Sequence, residues 1–139
     1  MSTAAPGGGP PRLRLIKPAG LSADTAQTSG MARAAAISGA QVGARSLFMG
    51  RTVLPPGVSS GDHHHGESET GIFVVAGQPA FVFRDPATGE VTRLEAEPGD
   101  FVWVPPHVPH REENPAGEAA VIVVARSTEA AIVVNVGGL

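Results

Sequence analysis

The chain has 139 residues, 42% of them hydrophobic and 17% charged, with a formal net charge of −3. That balance supports one folded domain and argues against a nucleic-acid partner, whose phosphates call for a basic stripe. The absence of cysteine excludes disulfide scaffolds, zinc fingers, Fe–S clusters and thiol nucleophiles.

Gly 18 and Pro 13 make the chain turn-rich, and turns between short apolar runs favour an all-β fold over a helix bundle. Residues 1–11, MSTAAPGGGPP, read as a floppy tail, because small residues cannot bury enough surface to offset chain entropy. They carry neither the basic nor the apolar region of a signal peptide. No apolar run approaches the roughly 18 residues of a membrane span, so the expectation is a cytoplasmic protein with no membrane partner. Residues 12–139 are expected to form a single domain.

Residues 12–17, RLRLIK, alternate polar and apolar and predict a short half-buried strand. Residues 20–30 are small and polar, a long loop. The stretch 31–44 mixes Ala with Gly39 and Gly43 and is expected to be an arm of loop and short strand. Strands are predicted over 46–54, 71–77, 79–84, 91–97, 101–104, 119–126 and 130–136, each bounded by Gly or Pro breakers. Such close spacing indicates a sandwich or barrel.

All five histidines lie between residues 63 and 110: His63, His64, His65, His107 and His110. In an extended chain residues i and i+2 share a face, so His63 and His65 can aim inward together while His64 points away. Three imidazoles with a carboxylate would hold a transition metal; a solvated polar loop is the bland alternative. Glu112 and Glu113 read most simply as a solvated loop. Arg45, Arg51 and Arg84 sit on or beside strands, where an inward guanidinium would bind a carboxylate and an outward one would only be solvated.

Two longer patterns frame the histidines. The first is Gly57, five residues, His63, one residue, His65, three residues, Glu69, then Gly77; the second is Gly99, five residues, Pro105, then His107, His110 and Asn114. Together they resemble the two signature motifs of the cupin superfamily, Gly-x5-His-x-His-x3/4-Glu-x6-Gly and Gly-x5-Pro-x-Gly-x2-His-x3-Asn. The stretches GMARAAAIS, PPGVSSGDHHHGESETGIFVVAG and PGDFVWVPPHVPHREEN look like a subgroup of small single-domain cupins. The resemblance implies a double-stranded β-helix, or jelly-roll barrel, with a metal inside one end. It assigns His63, His65, Glu69 and His110 as ligands of one divalent transition metal: Fe, Mn, Zn, Ni or Cu.

Two departures bear on that assignment. Gly77 lies eight residues after Glu69 where the pattern expects seven, and counting back seven reaches Thr70. Either a bulge keeps Glu69 inward, or Thr70 takes the ligand slot, with Glu67 a weaker substitute. His107 stands where the motif has Gly, at the site's mouth, behind a ligand, or on the surface. Asn114 reads as a turn stabiliser rather than a ligand.

Two functions follow from the resemblance. One is a metal enzyme acting on a small polar organic molecule, of dioxygenase, decarboxylase, isomerase or cyclase type. The other is a sugar- or small-molecule-binding module with a structural metal. A metal-free structural protein would leave the histidines incidental. An open barrel exposes strand edges, so a homodimer is expected, paired through 12–17 or the 31–44 arm.

Overall fold

The computed structural model describes residues 11–129 and 132–139. Its strands form where alternating runs meet Gly and Pro breakers. They are β1 Ala32–Ile37, β2 Phe48–Leu54, β3 His63–His64, β4 Thr70–Ala76, β5 Ala80–Arg84, β6 Val91–Glu95, β7 Phe101–Val104, β8 His110–Glu113, β9 Ala120–Arg126 and β10 Val134–Asn135. Helical structure among these residues is a 3-10 turn at Pro18–Gly20 and one α turn, α1, at Gly39–Val42. No described helix is long and apolar enough to cross a membrane.

The strands form two antiparallel five-stranded sheets, β1-β2-β9-β4-β7 and β10-β3-β8-β5-β6. From β2 to β10 the chain passes from one sheet to the other at every step except the β5–β6 hairpin. That is the winding of a jelly roll, and it explains why β2 and β4 both pair with β9 rather than with the strand that follows them.

Inward residues follow the period of 2. Along β9 they are Ala120, Ile122, Val124 and Arg126, all buried. The first three join Leu54, Ile72, Val74, Phe81 and Val104 in the apolar core. Arg126 continues the same alternation and brings a cation indoors. Its row runs across the sheet as Phe48, Arg126, Thr70, Val104.

The expected strand at 12–17 does not form: Leu13 is 100% and Leu15 80% exposed. Alternation supplies a face but not a partner, and the free edge of β1 is already taken. Ser22 exchanges backbone hydrogen bonds with Ala35. The Gln27 amide accepts from Arg33 N at 2.7 Å and donates to Arg33 O at 2.9 Å, standing in for a strand. In 31–44 the glycines bound the helical turn instead of preventing it. Ser38 caps it by accepting from Gln41 N, and Gly43, at φ +74°, ends it. The run expected at 130–136 narrows to β10, with 130 and 131 outside the described residues, as are residues 1–10 of the expected tail.

Gly77 closes the turn between β4 and β5 at φ +83°, and a Cβ there would lie 2.6 Å from Ala120 Cα. Gly57 has a similar φ of +72° but nothing within 4 Å. Gly77→Ala is therefore expected to cost roughly 3 kcal/mol or more, strain plus collision. Gly57→Ala should cost only the strain, about 1 kcal/mol. Urea unfolding of the two variants checks the difference.

Candidate metal centre

The site begins with one register pair. His63 on β3 lies directly across from His110 on β8. His65 shares the face of His63, two residues on, and Glu112 shares the face of His110. All four side chains are buried, and one ligand atom from each lies within 4.8 Å of the others. The imidazole centroids are 4.6 Å (His63–His110), 5.0 Å (His63–His65) and 5.4 Å (His65–His110) apart.

Each ring is held from behind. His63 Nδ1 donates to Gly61 O at 2.7 Å, His65 Nδ1 to Ile132 O at 2.6 Å, and His110 Nδ1 to Val108 O at 3.0 Å. A carbonyl can only accept, so the proton sits on Nδ1 and Nε2 keeps its lone pair. Nε2 of His63 and of His110 has no hydrogen-bond partner. The Glu112 carboxylate stands 3.5 Å from His63 Nε2 and 3.4 Å from His110 Nε2. Those separations are long for hydrogen bonds. They match the roughly 3.4 Å between two donors bound tetrahedrally to one ion at about 2.1 Å. Orphaned, tautomer-fixed nitrogens facing a shared carboxylate therefore fit a transition metal.

Glu112 is positioned by Ser60. The Ser60 hydroxyl lies 3.2 Å from Glu112 Oε2 and accepts from Glu112 N at 2.9 Å, while Ser60 N donates to Glu112 O at 2.8 Å. Burial alone would push this carboxyl up. The close approach and charge of His110, then the charges that His63 and His65 carry when protonated, outweigh it and hold the carboxyl down at about 2. Burial lowers His63, and it lowers His65 to about 4. Burial also works against charge on His110, but the nearby Glu112 carboxylate wins and raises it.

The Glu69 expectation is corrected here. Glu69 is exposed, and its Oε2 accepts from Trp103 Nε1 at 2.9 Å. No bulge turns it inward. Thr70 instead occupies the inward position, buried in register with Arg126 and Val104, and its hydroxyl has no partner. Glu67 is likewise exposed. Glu112, expected in a loop, lies on β8. The sequence carries a usable signal for it: His110 and Glu112 repeat the i, i+2 spacing of His63 and His65. Glu113 points the other way and bonds Arg111 and Arg93.

The remaining candidates separate clearly. His64 is half-buried and accepts from Gly66 N at 2.9 Å; its ring is 5.9 Å from His107. His107 is exposed at φ +64°, the left-handed backbone that explains why the motif carries Gly there. Asn114 is buried and ties a turn together, donating to the carbonyls of Leu54, Pro55 and Glu118 and accepting from Ala116 N. Arg45, Arg51 and Arg84 are exposed. The buried guanidiniums are those of Arg33 and Arg126, neither of which stands out in the sequence. An apolar cleft of about 270 Å3, walled by Phe81, Phe83, Val102, Val104 and Val108, reaches His110.

A family model described as a cupin domain matches residues 50–126. No curated protein matches. Among solved structures, the chain is similar to Peruvianin-I, a cysteine peptidase from Thevetia peruviana latex. That likeness has 18% identity and a TM-score of 0.68, over 82% of this chain and 74% of that one. It is similar to an oxalate oxidase at 18% identity and a TM-score of 0.68, over 81% of this chain and 60% of that one. It is also similar to Bacillus subtilis oxalate decarboxylase at 16% identity and a TM-score of 0.69, over 81% of this chain and 30% of that one. These likenesses concern the fold. The chain spans less than two thirds of the oxidase and under one third of the decarboxylase, and it has no cysteine for thiol chemistry.

The shifts of the histidines predict an acid response of the metal-free protein. Unfolded, His65 takes a proton near its ordinary 6.5; folded, it resists until about 4. The unfolded state therefore binds the extra proton in that window, and stability falls as pH drops from about 6.5 towards 4. His63 has the same sign. His110, raised, has the opposite sign and loses its contribution as pH rises past its folded value. Thermal melting across pH 4 to 7 checks this, with His65→Gln expected to flatten the slope.

Proposed function

The chain belongs to the cupin family, and from that premise we propose that it holds one divalent transition metal on His63, His65, His110 and Glu112 and acts on a small polar organic molecule. The observation that carries this reading is the set of Nε2 lone pairs and one carboxylate, all buried, each ring fixed through Nδ1. A bound metal would supply Lewis-acid or redox chemistry at that point. Three neutral nitrogens and one oxygen anion suit Mn or Fe as well as Zn, Ni or Cu. The Bacillus subtilis oxalate decarboxylase, which shares the fold, has Mn(II) centres, and this supports Mn.

The protein's own residues do the positioning. The backbone carbonyls of Gly61, Val108 and Ile132 orient the rings. Ser60 holds the Glu112 carboxylate, whose depressed pKa keeps it anionic at neutral pH. The apolar cleft that reaches His110 would take the apolar part of a substrate. The neighbours named for oxalate oxidation and decarboxylation favour oxidative or decarboxylase chemistry over isomerisation or cyclisation. A non-catalytic module with a structural metal is the alternative.

Elemental analysis tests the reading. Wild-type protein should carry one Mn, Fe, Ni, Cu or Zn per chain, and the His63→Ala, His110→Ala double variant almost none. Glu112→Gln should lose metal affinity by about tenfold or more, while Glu69→Gln keeps it. No metal in wild-type protein after reconstitution overturns the proposal. Zinc with no exchangeable water favours the structural alternative.

A homodimer fits the other side of the first sheet. β7 is an edge strand, and Phe101 (79%) and Trp103 (64%) are exposed on it beside Phe73 and Met49. A second copy meeting this edge across a two-fold axis would cover both the open ladder and the aromatic rings. Sedimentation at micromolar concentration should give a dimer, and Phe101→Lys a monomer.

A further inference from the structure

We propose that Arg126 is a carboxylate-binding residue inside the barrel, and that the ligand of this site is a small organic acid with an apolar body. The inference deepens the proposed function, on which it rests for the placement of a metal beside the acid. Arg126 is 1% exposed, and Nε, Nη1 and Nη2 all lack a hydrogen-bond partner. Five N–H donors in a fixed fork are thus buried without an acceptor. Left that way they would be costly, since a buried charge needs pairing and hydrogen bonds.

The surroundings hold the fork rather than satisfy it. The Phe48 ring stacks on the guanidinium, with Cζ 4.3 Å from the ring centroid. The neighbour on the other side is Thr70, whose buried hydroxyl is also unpartnered. Beyond Thr70 in the same row stands Val104, a wall of the apolar cleft that reaches His110. Adjacent strands are about 4.8 Å apart, so Arg126 and that cleft wall are only two strand spacings from each other. A carboxylate paired with Arg126 would lead its apolar body towards the cleft.

Charge balance gives a second, independent argument. Among the described residues the buried charged side chains are Arg33, Arg126 and Glu112, beside the three imidazoles. Arg33 donates to Ala26 O and Thr28 Oγ1 but keeps Nε unpartnered. With the imidazoles neutral, two cations face one anion, and a divalent metal widens the surplus. An entering carboxylate supplies the missing negative charge, and Arg126 offers the bidentate geometry for it. Burial lowers the Arg126 pKa to about 10, with the Arg33 charge acting the same way and Glu112 opposing it, so the fork stays charged at neutral pH.

The test is calorimetric titration of acetate, isobutyrate and benzoate, with benzamide as the neutral counterpart of benzoate. It is run on wild-type protein, metal-free and Mn-loaded, and on Arg126→Met and Arg126→Lys. Wild-type protein should bind benzoate and discriminate against benzamide by about tenfold or more. Arg126→Met should melt no lower than wild type, because it replaces an unpaired buried charge with a hydrophobe. It should keep its metal and lose at least about tenfold in benzoate affinity, with Arg126→Lys intermediate. Failure of wild-type protein to bind any of the three acids overturns the proposal, as does equal binding of benzamide. Benzoate affinity unchanged in both variants also overturns it, and metal loss in those variants would then make Arg126 a counter-charge for Glu112. Metal content is read on the same samples. A wild-type protein that takes up no metal but still prefers benzoate refutes the metal and leaves the Arg126 site standing.

Discussion

The pairing of His63 with His110 across β3 and β8 is the constraint from which the site follows. One residue pair joins these two strands in register, and it brings together two ligand nitrogens from opposite ends of the motif region. A slip of one residue would turn each histidine to the other face. Because the pair is in place, the period of 2 delivers His65 and Glu112 to the same interior. Two rings are then oriented by carbonyls two residues away, Gly61 and Val108, so their aim is a local property of the chain. The His65 ring depends on Ile132, so its aim depends on the far end of the chain.

That interior is polar at a cost the rest of the barrel must carry. Leu54, Ala120, Ile122, Val74, Ile72 and Val124 make much of the inward face of the first sheet apolar. Charge enters it in two rows, at Arg126 between Phe48 and Thr70, and at Arg33, which pairs with Thr52 beside Ile122. The core therefore supplies folding stability, and the polar rows spend part of it on groups left without partners. Thr52, Thr70, His63, His110, Arg33 and Arg126 all carry such atoms. Orphaned buried polar atoms are rare in folded proteins. Their clustering on the inward side of the sheets is what the proposed ligands, a cation among the imidazoles and an anion at the guanidinium, would account for.

Much of this is legible in the residues. Breakers and alternation locate most of the strands, because a half-buried strand between turns needs little beyond its own pattern. The inward pair His63 and His65 follows from the same rule. Applied two residues past His110, the rule finds Glu112; the Pro-Pro break before it makes the segment look like loop. Arg126 is not open to the same reading, because it ends the run 119–125, which is apolar at every position and shows no period. Glu69 rests on a motif count, and a count of one residue decides which face a side chain takes. The strand expected at 12–17 fails for another reason. Ser22 and Gln27 cap the edge it would have joined, and that competition is invisible in the segment itself.

Residue pattern and composition carry the class of fold, the positions of most turns, and a histidine pair spaced for one face. These are local matters of φ preference, period and residue chemistry. Folding decided that Glu112, whose spacing from His110 only offers it the inward face, meets the histidines in one cluster, and it decided which arginines are buried. It also decided that Thr70 rather than Glu69 faces inward. Each of those depends on register between strands far apart in the chain, and register is set by how two sheets close on a shared core, not by any one strand.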